Sequence, residues 1–106
     1  MYKLAFFVPL ENAEEVKAAV FATGAGRIGL YEHCCFETLG TGQFRPLAGA
    51  QPHLGQVNQL EKVQELKVEL VCEAALIRAA VAAMKAAHPY EEPAYEVWRL
   101  EDLGFI

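Results

Sequence analysis

Two prolines placed after an alanine-rich helical pattern constrain this chain more than any other feature. Residues 73–87 carry Leu76, Ile77, Ala80, Val81 and Met84 at helical spacing among many alanines, so Glu73 to Ala87 is predicted as a helix. Pro89 forbids its continuation, because a residue that precedes proline avoids the α region. The chain must therefore leave the helix at His88. Past Pro93 it enters Ala94 to Leu100, a last strand with apolar residues on both sides, and Glu101 to Ile106 is a short tail. The stretch His88 to Trp98 holds two of the five prolines, two of the four tyrosines, the sole tryptophan and three acids. The rest of the chain reads as a frame that presents this hinge.

Tyr2 to Val8 is aromatic and apolar on both faces, as a central strand is, and Pro9 ends it. Asn12 with Glu15 has the spacing of a capping box, followed by Ala13, Val16, Ala19, Val20 and Thr23 at helical spacing, with Gly24 as the stop. The glycines at 24, 26 and 29 follow a helix and precede a strand. A dinucleotide fingerprint has the reverse order, so they read as a C-cap and a tight turn. Tyr31 to Leu39 is predicted as a strand, with Glu32, Cys34, Phe36 and Thr38 towards the core and Tyr31, His33, Cys35 and Glu37 on the other face. Gly40-Thr41-Gly42 reads as a turn and Gln43-Phe44-Arg45 as a short returning partner. Prolines and glycines punctuate residues 46–55, which read as a protruding lid or arm with short strand pieces. In residues 61–72, Leu66, Val68, Leu70 and Cys72 alternate with Glu65, Lys67, Glu69 and Val71, the pattern of a half-buried antiparallel strand.

This order predicts an α+β fold: a ferredoxin-like βαββαβ sandwich, both helices on one face of an antiparallel sheet, with an extra β-hairpin or arm around 40–60. At 106 residues the chain is expected to be one domain, 1–106. The other sheet face would carry His33, Cys35, Glu37, Glu65, Lys67, Glu69 and Val71, and apolar residues there call for a second copy, so a homo-oligomer is expected. A net charge of −5 and the lack of a basic run exclude nucleic acid as the expected partner. No stretch approaches the ~18 apolar residues that span a bilayer, and the N-terminus reads as a strand rather than a signal peptide. Three cysteines, an odd number without a CxxC pair, fit reduced thiols and a cytoplasmic protein.

Three segments taken together carry a resemblance: Gly24-Ala25-Gly26-Arg27-Ile28-Gly29-Leu30-Tyr31, Gly40-Thr41-Gly42-Gln43-Phe44-Arg45-Pro46 with Gly49-Ala50-Gln51-Pro52, and His88-Pro89-Tyr90-Glu91-Glu92-Pro93-Ala94. They resemble the domain inserted into YqfO-type proteins of the Nif-three-like family, here as a stand-alone chain. That domain is similar in fold to CutA and PII proteins, and CutA also has a His-Pro-Tyr hinge. The resemblance implies a CutA/PII-like fold and a tendency to trimerise, with a dimer as the alternative. It implies no metal ligand, because those of the larger family lie in lobes that this chain lacks.

The hinge offers His88, Tyr90, Glu91 and Glu92 as a ligand-binding set in a cleft between subunits, with the carboxylates expected to raise the pKa of His88. The opposing reading is structural: prolines that force the turn, His88 at a helix C-terminus, Tyr90 packed with its hydroxyl bonded, and two solvated acids. His33 and Cys35 are the candidates for a soft metal site, since both share a strand face, whereas Cys34 and Cys72 point to the core. No serine occurs in the chain and no catalytic constellation stands out. No cofactor is expected. The leading expectation is a non-enzymatic oligomeric module for a small molecule or partner protein. The rivals are a Cu- or Zn-binding protein and an enzyme whose site forms between subunits.

Overall fold

The computed structural model describes residues 1–103. The strands are Tyr2–Pro9 (β1), Phe36–Phe44 (β2), Glu61–Cys72 (β3) and Tyr95–Arg99 (β4); the helices are Ala13–Phe21 (α1) and Ile77–Ala87 (α2). They form one sheet in the order β2-β3-β1-β4, with every neighbouring pair antiparallel. This is the ferredoxin-like α+β arrangement that the element order predicts.

The alternation in β3 explains the layering. Leu66, Val68 and Leu70 lie opposite Val8, Phe6 and Leu4 of β1. Together with Val16, Val20, Ala80 and Met84 of the two helices they build the core. Burying a side chain such as Phe6, which is fully enclosed, contributes roughly 2–3 kcal/mol. On the opposite, open face stand Phe7, Glu65, Lys67, Glu69 and Val71, and Glu69 lies near both Lys3 and Lys67.

The helix boundaries differ in part from expectation. Asn12 does not cap α1. It belongs to a 3-10 turn, Leu10–Asn12, that runs straight into the helix, and its Oδ1 is buried without a partner among the described residues. Gly24 does end the helix, at φ +97° with its N–H bonded to the Phe21 carbonyl. α2 begins at Ile77 rather than Glu73, because residues 73–76 form a turn closed by Leu76 N–H on the Glu73 carbonyl.

The largest correction concerns β2. Residues 31–35 are not strand. Gly26 donates to the Val71 carbonyl at 2.8 Å and accepts from Cys34 N–H at 2.8 Å, so the loop after α1 occupies the edge of β3 there. β2 can therefore start only at Phe36. Its phase is opposite to the predicted one: Phe36 and Thr38 align with Glu69 and Lys67 on the open face, while Glu37 aligns with the core residue Val68. His33, Cys35 and Glu37 are thus not on the open face. Gly40-Thr41-Gly42 is not a turn either. These residues pair in register with Glu65, Gln64 and Val63, and Gln43 and Phe44 continue the same strand.

The arm starts beyond that strand. β2 and β3 overhang β1, since Thr41 to Phe44 pair with Glu61 to Gln64 where β1 has already ended. Residues 45–60 contain no strand. Their base is closed by Asn58 N–H on the Pro46 carbonyl at 2.6 Å and Arg45 Nε on the Asn58 carbonyl at 3.2 Å, in the manner of an Ω-loop.

Candidate functional site

The hinge and the arm meet over the end of the open face. They enclose a cleft of about 400 Å³, whose apolar wall includes Phe7, Phe44, Pro46, Leu47 and Leu54. Tyr90, Glu65, Glu91, Glu92, His53, Gln43 and Arg45 supply its polar groups. Its volume lies in the range of small-molecule sites, and its mostly apolar lining with few polar groups is typical of them.

Of the four hinge residues singled out from the sequence, three line this cleft and one does not. His88 is turned inward and is 7% exposed. Its Nδ1 accepts the Tyr90 N–H at 3.0 Å, so the ring proton sits on Nε2, which donates to the Phe7 carbonyl at 2.7 Å. The prolines force the exit from α2, and His88 then ties that exit to β1. Burial lowers its pKa below the ordinary 6.5, against the raising effect of the Phe7 carbonyl. The expected upward shift from Glu91 and Glu92 is therefore corrected: both carboxylates are exposed and point elsewhere. Glu91 Oε1 accepts the Gln51 N–H at 3.1 Å, which links hinge to arm, and Glu92 lines the rim.

Tyr90 is the centre of the cleft. Its hydroxyl donates to Glu65 Oε2 at 2.8 Å. Its ring packs edge-on against Phe44 at 5.8 Å and lies 6.3 Å from His53 and 5.0 Å from His88. Burial, and then the Glu65 carboxylate, push the phenol well above its ordinary pKa, so the proton stays on the oxygen.

Glu65 escaped the sequence reading. It occupies a polar position of a strand whose face is otherwise solvated, yet it is only 8% exposed. The reason lies across the ladder. Gly40 is its direct neighbour on β2, and a Cβ at Gly42 would come within 2.1 Å of Glu65 Oε1. Gly42 clears the space that the carboxylate fills, whereas a Cβ at Gly40 would meet nothing within 4 Å. A glycine inside a strand is the signal that could have revealed it, had residues 40–42 been read as strand.

The metal candidates lie at the other end of the molecule. His33, at φ +59°, stacks on Phe21 with centroids 5.0 Å apart and planes at 11°. Cys35 packs against the core and lines a surface groove with His33, Lys17 and Glu14. Burial raises the Cys35 thiol above its ordinary pKa, against the lowering effect of Lys17. Burial also depresses the Lys17 ammonium, but its bonds to Glu14 and Glu37 outweigh that and hold it well above its ordinary range. Cys72 is buried in the core, and Cys34 leans on the Glu32 carbonyl. Among the described residues no group of three or more His, Cys, Asp or Glu stands where it could hold a metal ion. None of the described helices is long and apolar enough to cross a membrane.

No family model matches the chain. A Mycobacterium tuberculosis protein named GTP cyclohydrolase 1 type 2 homolog is 50% identical over 98 residues, which is 92% of this chain and 26% of that protein. The protein of the same name from Bacillus subtilis is 46% identical over 99 residues, 93% of this chain and 26% of the relative. The chain thus spans about a quarter of the length of the curated relatives it matches. Among solved structures, a Bacillus cereus protein related to NIF3 superposes with TM-score 0.81 at 44% identity, covering 95% of this chain and 26% of that one. CutA1 from Pyrococcus horikoshii superposes with TM-score 0.70 over 99% of this chain and 88% of its own, at 17% identity, a likeness of fold alone. By sequence the chain is similar to one segment of these NIF3-related proteins, and in fold it is similar to CutA.

Proposed function

We propose that the chain is a homo-oligomeric binding module, folded as one domain over residues 1–106, whose ligand sits in the cleft between arm and hinge. The carrying observation is the cleft itself: an apolar wall, a part-buried Glu65–Tyr90 pair and a hinge fixed to β1 by His88. The same geometry supports a non-enzymatic role. His88 spends both ring nitrogens on structural bonds, and Tyr90 spends its proton on Glu65. Neither is left to move a proton on a ligand. The curated relatives carry GTP cyclohydrolase in their name, but the three carboxylates Glu65, Glu91 and Glu92 outnumber the one guanidinium, Arg45, in the cleft and disfavour a triphosphate there. The three free cysteines fit a reducing compartment, so we read the setting as cytoplasmic.

Self-association is supported by apolar residues left uncovered in the single chain. Phe36, at the open face of edge strand β2, is 69% exposed, and Trp98 of the opposite edge strand is 42% exposed. A trimer, which the CutA and PII resemblance implies, is the assembly we favour. Light scattering coupled to size exclusion should give a multiple of the 11.7 kDa chain mass. A monomer across the working concentration range counts against the assembly. Incubated with GTP, the chain should leave it intact; turnover that Tyr90→Phe abolishes would overturn the non-enzymatic reading.

A further inference from the structure

We propose that the cleft takes a small organic cation, an ammonium or guanidinium group on an apolar stem, with Glu65 as its counter-charge. The inference deepens the binding-module reading and rests on it. Its starting point is an unbalanced charge. Glu65 is more than nine-tenths buried, and its single hydrogen bond is from a neutral phenol. Its Oε1 accepts nothing among the described residues, and no lysine or arginine pairs with it there. Lys67 faces Glu69, and Arg45, which also lines the cleft, turns its Nε to the Asn58 carbonyl and forms no ion pair with Glu65. Buried carboxylates in proteins are paired with a cation or fully hydrogen-bonded, because desolvating the charge alone is costly.

The surroundings favour a cation over an anion. Glu91 and Glu92 line the same cleft, so with Glu65 three carboxylates stand against one guanidinium, that of Arg45, and the net field is negative. The rings of Phe44 and Tyr90 meet beside the carboxylate and offer π faces, which attract ammonium and guanidinium groups. Pro46, Leu47 and Leu54 give the apolar stem a wall to bury against. A bare metal ion is disfavoured by the same residues, since the three carboxylates form no converging donor set among the described residues. Tyr90 holds the carboxylate in place through Oε2 and leaves Oε1 to the ligand.

The test uses the full chain labelled with nitrogen-15 and three probes of one shape: benzylammonium, benzyl alcohol and phenylacetate. Benzylammonium should shift the amide signals of residues 43–54 and 90–94 saturably, and bind about tenfold more tightly than the alcohol. Phenylacetate should be the weakest of the three. Glu65→Gln keeps an acceptor for the Tyr90 hydroxyl but removes the charge, and should abolish the preference for the cation while leaving the alcohol's affinity unchanged. Should that variant not fold, the ranking of the three probes on the unaltered chain decides. Phenylacetate bound as well as benzylammonium, or a preference that survives Glu65→Gln, overturns the cation while sparing the cleft as a binding site. No shift in these segments from any probe overturns both.

Discussion

The two helices of this fold hand the chain back to the sheet by different means. After α1, the loop of residues 24–35 is held by backbone bonds. Gly26 uses its own N–H and carbonyl to reach Val71 and Cys34, and His33 stacks on Phe21. After α2, prolines break the helix and side chains make the attachment: His88 to Phe7, Tyr90 to Glu65, Glu91 to Gln51. The first exit depends on the absence of a side chain, the second on the presence of particular ones. Both exits border a depression, but only the second brings a carboxylate that is more than nine-tenths buried, Glu65, into its lining.

The sharpest break of this contrast is Gly26→Ala. An added Cβ would stand 2.7 Å from the Phe21 ring and 3.0 Å from the Cys34 carbonyl, at φ +81°. Overpacking and backbone strain together should cost roughly 2–4 kcal/mol in denaturant melts. A loss below about 0.5 kcal/mol, the size of ordinary surface changes, would show that this exit is less rigid than its bonds imply.

His88→Ala removes the corresponding tie from the second exit and should cost about 2–3 kcal/mol, from two lost bonds and a buried ring. It should also change the pH dependence. Burial holds the folded pKa of His88 below the ordinary 6.5, so the unfolded chain binds more protons once the pH falls under that value. The stability from this group is complete above 6.5 and is lost as the pH drops below it. Thermal melts between pH 7.5 and 5, in steps of about half a unit, should therefore give a steeper decline for the unaltered chain than for His88→Ala. Parallel declines would sink the assignment of a neutral, inward His88.

Tyr90→Phe keeps the ring and deletes the donor, leaving Glu65 buried with no hydrogen bond. A loss of roughly 1–3 kcal/mol is expected, the cost of an unsatisfied buried acceptor. The smallest effect is expected at Gly29, whose added Cβ would meet nothing within 4 Å. At φ +56° it still asks for a left-handed alanine, so Gly29→Ala should cost about 1 kcal/mol or less. Gly29 and Gly26 together separate backbone strain from steric exclusion within one loop.

Much of the frame was legible in the residues. The alternation of Leu66, Val68, Leu70 and Cys72 gave β3 and its buried face, and Pro89 gave the end of α2. These features depend on each residue and its near neighbours, so local chemistry suffices. β2 was misread because its pattern has no such local origin. Phe36 looked like a core residue, yet it is exposed, and Gly40 and Gly42 looked like a turn, yet they lie in a ladder. The register of a strand is set by its partner, and a shift by one residue moves every side chain to the other face. Here the loop bonded to Val71 fixes where pairing with β3 can begin.

The hinge shows the same division. Its composition marked Tyr90, Glu91 and Glu92 as neighbours of a site, and its prolines fixed a turn between helix and strand. The sequence by itself thus determined where the chain must turn and which chemical groups stand at that turn. Only the tertiary structure decided that His88 faces inward, and that Tyr90 meets a carboxylate 25 residues earlier in the chain. That meeting required the pairing that sets Glu65 opposite Pro9 at the end of β1, together with Gly42, whose missing side chain makes room for the carboxylate. Such a contact joins segments far apart in the chain. It exists only after the sheet has assembled, because strand register rather than local preference sets the distance between them.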